Sequence, residues 1–172
     1  VVLNLVNGRG PVTGSRLVSH PDIDRISFTG GTIKRREVLA AAGRQITPCT
    51  MELGGKSANI IFASADFDRA LDSALLSIFS TNGQQCLAGS RILVEETIFD
   101  DFVAAFTARM ARIKVGDPLA ADTEVGPIAS KAHMERILSF VDSAARDGDR
   151  LLGGGKRREA LGNGYFIDPT AV

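Results

Sequence analysis

A chain of 172 residues, 44% hydrophobic and 23% charged, has the make-up of a folded globular protein and is long enough to bury about 70% of its unfolded surface. Twenty basic residues balance twenty acidic ones, leaving no excess positive potential for a nucleic acid or an anionic membrane. Two cysteines are a poor disulfide framework, two histidines offer no metal cluster, and no apolar run nears the roughly 20 residues of a membrane span. These readings predict a cytoplasmic protein with reduced thiols and no metal, membrane or nucleic-acid partner. Because the sequence opens at Val1 inside a strand-like run, it reads as part of a longer chain.

The β-branched run Val1 to Val6 predicts a buried strand that leaves into a turn at Asn7-Gly8-Arg9-Gly10-Pro11. Residues 14–19 have room for one or two helical turns. Arg25 to Phe28 then predicts a strand running into Thr29-Gly30-Gly31-Thr32, and Lys34 to Arg44 a helix closed by Gly43. Thr50 to Leu53 and Ser57 to Phe62 read as strands. Asp66 opens a helix with Phe67, Ala70, Leu71, Ala74, Leu75, Ile78 and Phe79 at helical spacing, ending near Asn82-Gly83. Arg91 to Glu95 is a strand, 98–113 and 130–147 are helices, and Tyr165 to Ile167 is a late strand. Strands alternating with helices predict an α/β fold with mainly parallel strands.

Two strand-to-helix turns are glycine-rich, Gly8 to Gly14 and Thr29 to Thr32, a context in which backbone can approach a phosphate at a helix N-terminus. Either pattern alone is weak, since turns use glycine anyway and the first departs from the dinucleotide fingerprint by one residue. Glu52 ends an otherwise apolar strand beside Gly54-Gly55, where desolvation would favour a base. Cys86 follows Asn82-Gly83-Gln84-Gln85, an amide-rich stretch just past a helix. Cys49, beside Pro48, reads as structural, and His20 as a turn residue. Leu152-Gly153-Gly154-Gly155-Lys156 lacks phosphate-loop spacing and reads as a hairpin turn.

Taken in order and spacing, Phe28-Thr29-Gly30-Gly31-Thr32, Glu52-Leu53-Gly54-Gly55-Lys56 and Gly83-Gln84-Gln85-Cys86 closely resemble the NAD(P)-dependent aldehyde dehydrogenase superfamily. The resemblance extends to Gly8-Arg9-Gly10-Pro11, Lys114 to Pro118, Gly126-Pro127 and Gly164 to Thr170, and so covers the whole chain. It implies part of a Rossmann-type cofactor domain over 1–54 followed by the N-terminal part of an α/β catalytic domain over 55–172. It also implies Cys86 as nucleophile and Glu52 as general base, with Leu53 and Gly54 bordering the nicotinamide. Gly10, Gly14, Phe28, Gly30 and Gly31 would line a site for NAD or NADP.

The implied activity is oxidation of an aldehyde or semialdehyde to a carboxylate by a longer, homo-oligomeric protein. Two other readings are acylation of CoA, against which the retained Glu52 argues, and a non-catalytic fragment. The 172 residues alone are expected to lack sustained turnover. Two positions depart from the family pattern. Gly31 replaces a usual Ser, and Arg35 replaces a usual Gly, either crossing the expected phosphate path or adding a cation to it. His133 and Arg136 read as a solvated helix face.

Overall fold

A computed structural model describes residues 2–172; Val1, the first residue of the expected opening strand, lies outside them. Two compact units divide the chain, one ending at Gly55 and the other spanning Lys56–Val172.

In the first unit, residues 2–9 form no strand, and Val2, Leu3, Leu5 and Val6 are exposed. A β-branched run becomes a strand only when a neighbour takes up its N–H and C=O groups, and no described segment does so here. Gly10–Gly14 instead makes a single wide helical turn with Pro11 in it, leading into α1 (Ser15–Val18). Strand β1 (Ile26–Gly30) pairs in parallel with β2 (Cys49–Leu53), and α2 (Thr32–Gln45) makes the crossover. Ile26, Val38 and Ala42 form the buried centre, with Phe28, Cys49 and Met51 packed on it. Gly43 does not close α2. The left-handed residue that ends the helix is Ile46, at φ 58°, whose N–H and that of Thr47 reach back to the last turn.

The second unit repeats the plan. β3 (Ala58–Ile61) and β4 (Arg91–Val94) are parallel, joined through α3 (Phe67–Phe79). Asp66 caps α3 by accepting from Arg69 N–H at 3.1 Å. The apolar stripe of α3 packs on α4 (Phe99–Met110): Leu71, Ala74, Phe102, Phe106 and Met110 are all buried with Ile61, and the Phe102 ring meets Phe67 edge-on and Phe106 in a stack. After α4, Val115 bridges Val125, and Lys114 pairs with Asp122 across the intervening loop. The hydrogen bond from the Lys114 ammonium holds the Asp122 carboxyl below the usual carboxylate range. Helix α5 (Lys131–Asp147) starts at the Ser130 cap and ends at Gly148, φ 93°.

The expected strand at Tyr165–Ile167 and the expected turn at Leu152–Lys156 are both revised. Residues 152–158 and 166–171 are facing arms, bridged at Gly153–Ala171 and Arg157–Ile167, so the first segment is an arm and the reversal lies between them. Thr170 Oγ1 accepts from Gly155 N–H, where Gly154 and Gly155 adopt positive φ and interrupt the ladder.

Leu71 is fully buried and Leu76, on the same helix, is 70% exposed. Leu71→Ala is therefore expected to lower stability by about 2–5 kcal/mol and Leu76→Ala by about 0.5 kcal/mol or less, read from denaturant midpoints. A carboxyl lowered in the folded state contributes stability above the ordinary carboxylate pKa and loses it as pH falls through the lowered value. A carbon-13 titration of Asp122 should accordingly show a midpoint below that of an ordinary aspartate, and Lys114→Met should return it upward.

Candidate active site

The first unit carries a cavity of about 590 Å³ at the glycine-rich ends of its elements, and Gly10, Gly14, Phe28, Gly30 and Gly31 all line it. Phe28 lies against Gly30, where an added Cβ would come within 2.5 Å of the ring. At Gly10, Gly14 and Gly31 an added Cβ would meet nothing within 4 Å, so the backbone there is bare toward open space. No described side chain caps α2, whose N-cap is Gly31; Thr32, a possible cap in the sequence, is instead the first helical residue. The unspent N–H groups and the positive end of the dipole favour an anion. Lys34 and Glu37, paired at 3.0 Å, line the same cavity. Arg35 does not line it; this half-buried side chain holds its Nε away from solvent with no partner among the described residues.

Glu52 and Leu53 end β2 and Gly54 follows it, with Glu52 opposite Thr29 and Leu53 opposite Gly30 in the register. Alternation along the strand sends Cys49 and Met51 into the core and Glu52 to the other face with Thr50. Glu52 is exposed, so the described residues do not bury its carboxylate as the sequence predicts. It stands at the C-terminal end of a parallel strand, the edge at which open α/β sheets bind ligands.

Cys86 belongs to the second unit and is also exposed. Helix α3 ends at Phe79 and a tight turn follows in which Thr81 (φ 50°), Asn82 (φ 57°) and Gly83 (φ 69°) are all left-handed. An added Cβ at Gly83 would approach Ile78 O at 3.0 Å, so the last of these needs glycine twice over. Ala88 N–H donates to Gln85 O at 3.3 Å, which places Cys86 and Leu87 at the centre of a second turn. The Cys86 N–H makes no hydrogen bond among the described residues, leaving a donor beside its own thiol. Downstream, Gly89 N–H donates to Ser77 O and Oγ, and an added Cβ at Gly89 would lie 2.3 Å from that Oγ.

The sequence missed the contact that ties this loop to the rest of its unit. Asn82 Oδ1 accepts from Gly126 N–H at 2.9 Å, and its Nδ2 donates to Pro127 O at 3.0 Å. Both motifs stand out in the sequence, but a separation of 44 and 45 residues gives no signal of contact. Cys49 is half-buried in the first unit's core, with its Sγ donating to Thr47 O. His20 accepts from Asp22 N–H in a turn, and His133 and Arg136 are exposed on α5, Arg136 over the Phe140 ring. No metal-binding cluster and no helix long and apolar enough to cross a membrane occur among the described residues.

A parallel βαβ unit with a glycine-lined cavity, followed by a second parallel βαβ unit presenting an exposed thiol on a turn, places the protein in the α/β class. The chain belongs to the aldehyde dehydrogenase family, whose model matches residues 1–172. It is 41% identical over 99% of its length to a chloroplastic betaine aldehyde dehydrogenase of Atriplex hortensis, covering 34% of that protein. Among solved structures, HpcC from Thermus thermophilus superposes with a TM-score of 0.94 at 42% identity, over 96% of this chain and 33% of that one. The NAD+ complex of an aldehyde dehydrogenase from Bacillus cereus gives 0.91 at 37%, over 95% and 33%. The chain thus spans about a third of the relatives it matches.

Exposure separates the two thiols. Limiting iodoacetamide followed by peptide mapping should label Cys86 about tenfold faster than Cys49, or more.

Proposed function

We propose that the whole protein oxidises an aldehyde or semialdehyde to a carboxylate with NAD+ or NADP+, using Cys86 as nucleophile and Glu52 as general base. The observation that carries this reading is the exposed Cys86 thiol beside its own unbonded N–H, on a turn held at both ends. Family membership and the 41% identity to a betaine aldehyde dehydrogenase support the substrate class. In this reading the unit ending at Gly55 is the end of the cofactor domain, and Lys56–Val172 is the first part of the catalytic domain. The balanced charge argues against nucleic-acid and anionic-membrane partners, two cysteines suit a reducing cytoplasm, and a homo-oligomer is what the family resemblance implies.

The bare cavity fits a dinucleotide: Gly10, Gly14, Phe28, Gly30 and Gly31 would hold it, with phosphate at the uncapped start of α2, and Leu53 and Gly54 would border the nicotinamide. A bound dinucleotide would supply the hydride acceptor for the oxidation. The Cys86 thiolate adds to the aldehyde carbon, and the Cys86 N–H donates to the oxygen that becomes negative, a contribution of about 3 kcal/mol for a well-placed donor. Glu52 then takes a proton from the water that attacks the thioester, releasing the carboxylate and restoring the thiol.

The roles separate by mutation in the full-length protein. Glu52→Gln keeps the shape of the side chain but cannot take a proton, so thioester hydrolysis should slow by about 10²–10⁴-fold while the first turnover persists. Stopped-flow absorbance, with an aldehyde chosen from a panel that includes betaine aldehyde, should show a burst of about one reduced cofactor per site and then a slow phase. Cys86→Ser should lose both phases. Loss of the burst in Glu52→Gln would mean that Glu52 acts before hydride transfer, and the assignment as deacylation base would fail.

A further inference from the structure

We propose that Asn82 is the positioning residue of the nucleophile turn, holding it in place through the backbone of Gly126 and Pro127. This rests on the reading of Cys86 as nucleophile. The turn before Cys86 is one that the chain does not adopt on its own account, because three successive residues are left-handed and Thr81 is β-branched. Such a conformation persists only where its surroundings over-determine it. Asn82 supplies that constraint, since one half-buried carboxamide accepts from Gly126 N–H and donates to Pro127 O in the same plane of atoms.

Few side chains can do both. A carboxylate accepts but cannot donate, an ammonium donates but cannot accept, and a hydroxyl is too short to span two successive backbone groups. Gln85 adds a bond inside the turn, from Nε2 to Thr81 Oγ1 at 2.7 Å. At the far end Gly89 is fixed to Ser77 on α3. Cys86 therefore sits between two anchors that belong to different parts of its unit, α3 on one side and the 126–127 segment on the other. Attack on a carbonyl needs both the thiol and the Cys86 N–H to be directed correctly, whereas plain alkylation needs only an accessible thiolate. Loss of the Asn82 bonds should impair the first and spare the second.

The test compares two reagents on the full-length protein. With 4-nitrophenyl acetate, the thiolate attacks the ester carbonyl, an S–C bond forms and 4-nitrophenolate leaves; iodoacetamide alkylates the same sulfur by displacing iodide. Asn82→Gly permits the left-handed backbone but removes both side-chain bonds. It should lower the rate of Cys86 acylation about 10- to 100-fold while alkylation stays within about threefold. Asn82→Asp keeps the acceptor for Gly126 N–H and should fall between the wild type and Asn82→Gly. Acylation at the wild-type rate in Asn82→Gly would overturn the proposal, and so would an equal slowing of both reagents, which would make Asn82 a residue of the fold alone. Should Asn82→Gly fail to fold, Asn82→Asp decides by the same ratio of acylation to alkylation. Peptide mapping of the acylated wild type tests the underlying reading separately: acetyl found elsewhere than Cys86 removes Cys86 as nucleophile, whatever the variants do.

Discussion

Parallel strands cannot be joined by a tight turn, and the pairs β1–β2 and β3–β4 are both parallel. Each pair therefore needs a crossover long enough to return the chain to its starting edge, and α2 and α3 provide it. The rest follows from that constraint. A crossover helix must bury one face on its strands, which dictates Val38, Ala41 and Ala42 on α2 and Leu71 and Ala74 on α3. It also places the strand ends and helix ends where backbone groups are left unspent, and these are the places that carry Glu52, the glycine turns and Cys86.

The two units share a βαβ plan and leave different groups exposed. In the first, Gly31 at the turn from β1 into α2, and Gly10 and Gly14 in the turn before α1, bring backbone to the cavity with no side chain of their own in the way. Bare amides suit an anion that must be approached closely by something with no side chain in the way. In the second, the stretch carrying Cys86 lies between α3 and β4, and hydrogen bonds tie it down on either side of the thiol. A nucleophile loses far more from a displacement of about 1 Å than a binding surface does, and the hydrogen bonds of Asn82, Gln85 and Gly89 concentrate there.

Much of this was legible in the sequence, for reasons that differ along the chain. The 3.6-residue stripe of α3 and the Asp66 cap are local signals, and both elements form where the pattern puts them. The failures are positions where a local pattern meets a non-local requirement. Residues 2–6 have strand composition, but a strand also needs a neighbour. Gly43 looked like a helix terminator, yet hydrogen bonding carried α2 on to Ile46, a β-branched residue that accepts φ 58°. The glycines of 153–155 marked a left-handed interruption within an arm, at Gly154 and Gly155, rather than a turn. In the candidate site, residue types and spacing singled out Cys86 and Glu52, whereas the exposure of Glu52 and the grip of Asn82 on Gly126 and Pro127 depend on three-dimensional neighbours.

The anchoring of the thiol turn at Asn82 and Gly89 has a consequence for how such a protein can vary. Six residues lie between the two anchors, and hydrogen bonds hold the span at both ends. Insertion or deletion of a single residue would turn the thiol out of its direction, whereas Leu87, at 69% exposure, takes no part in the hydrogen bonds of either anchor. Variation next to the thiol is thereby channelled into replacement of side chains at constant length, which on the proposed reading would alter what the site admits while leaving the direction of the sulfur unchanged.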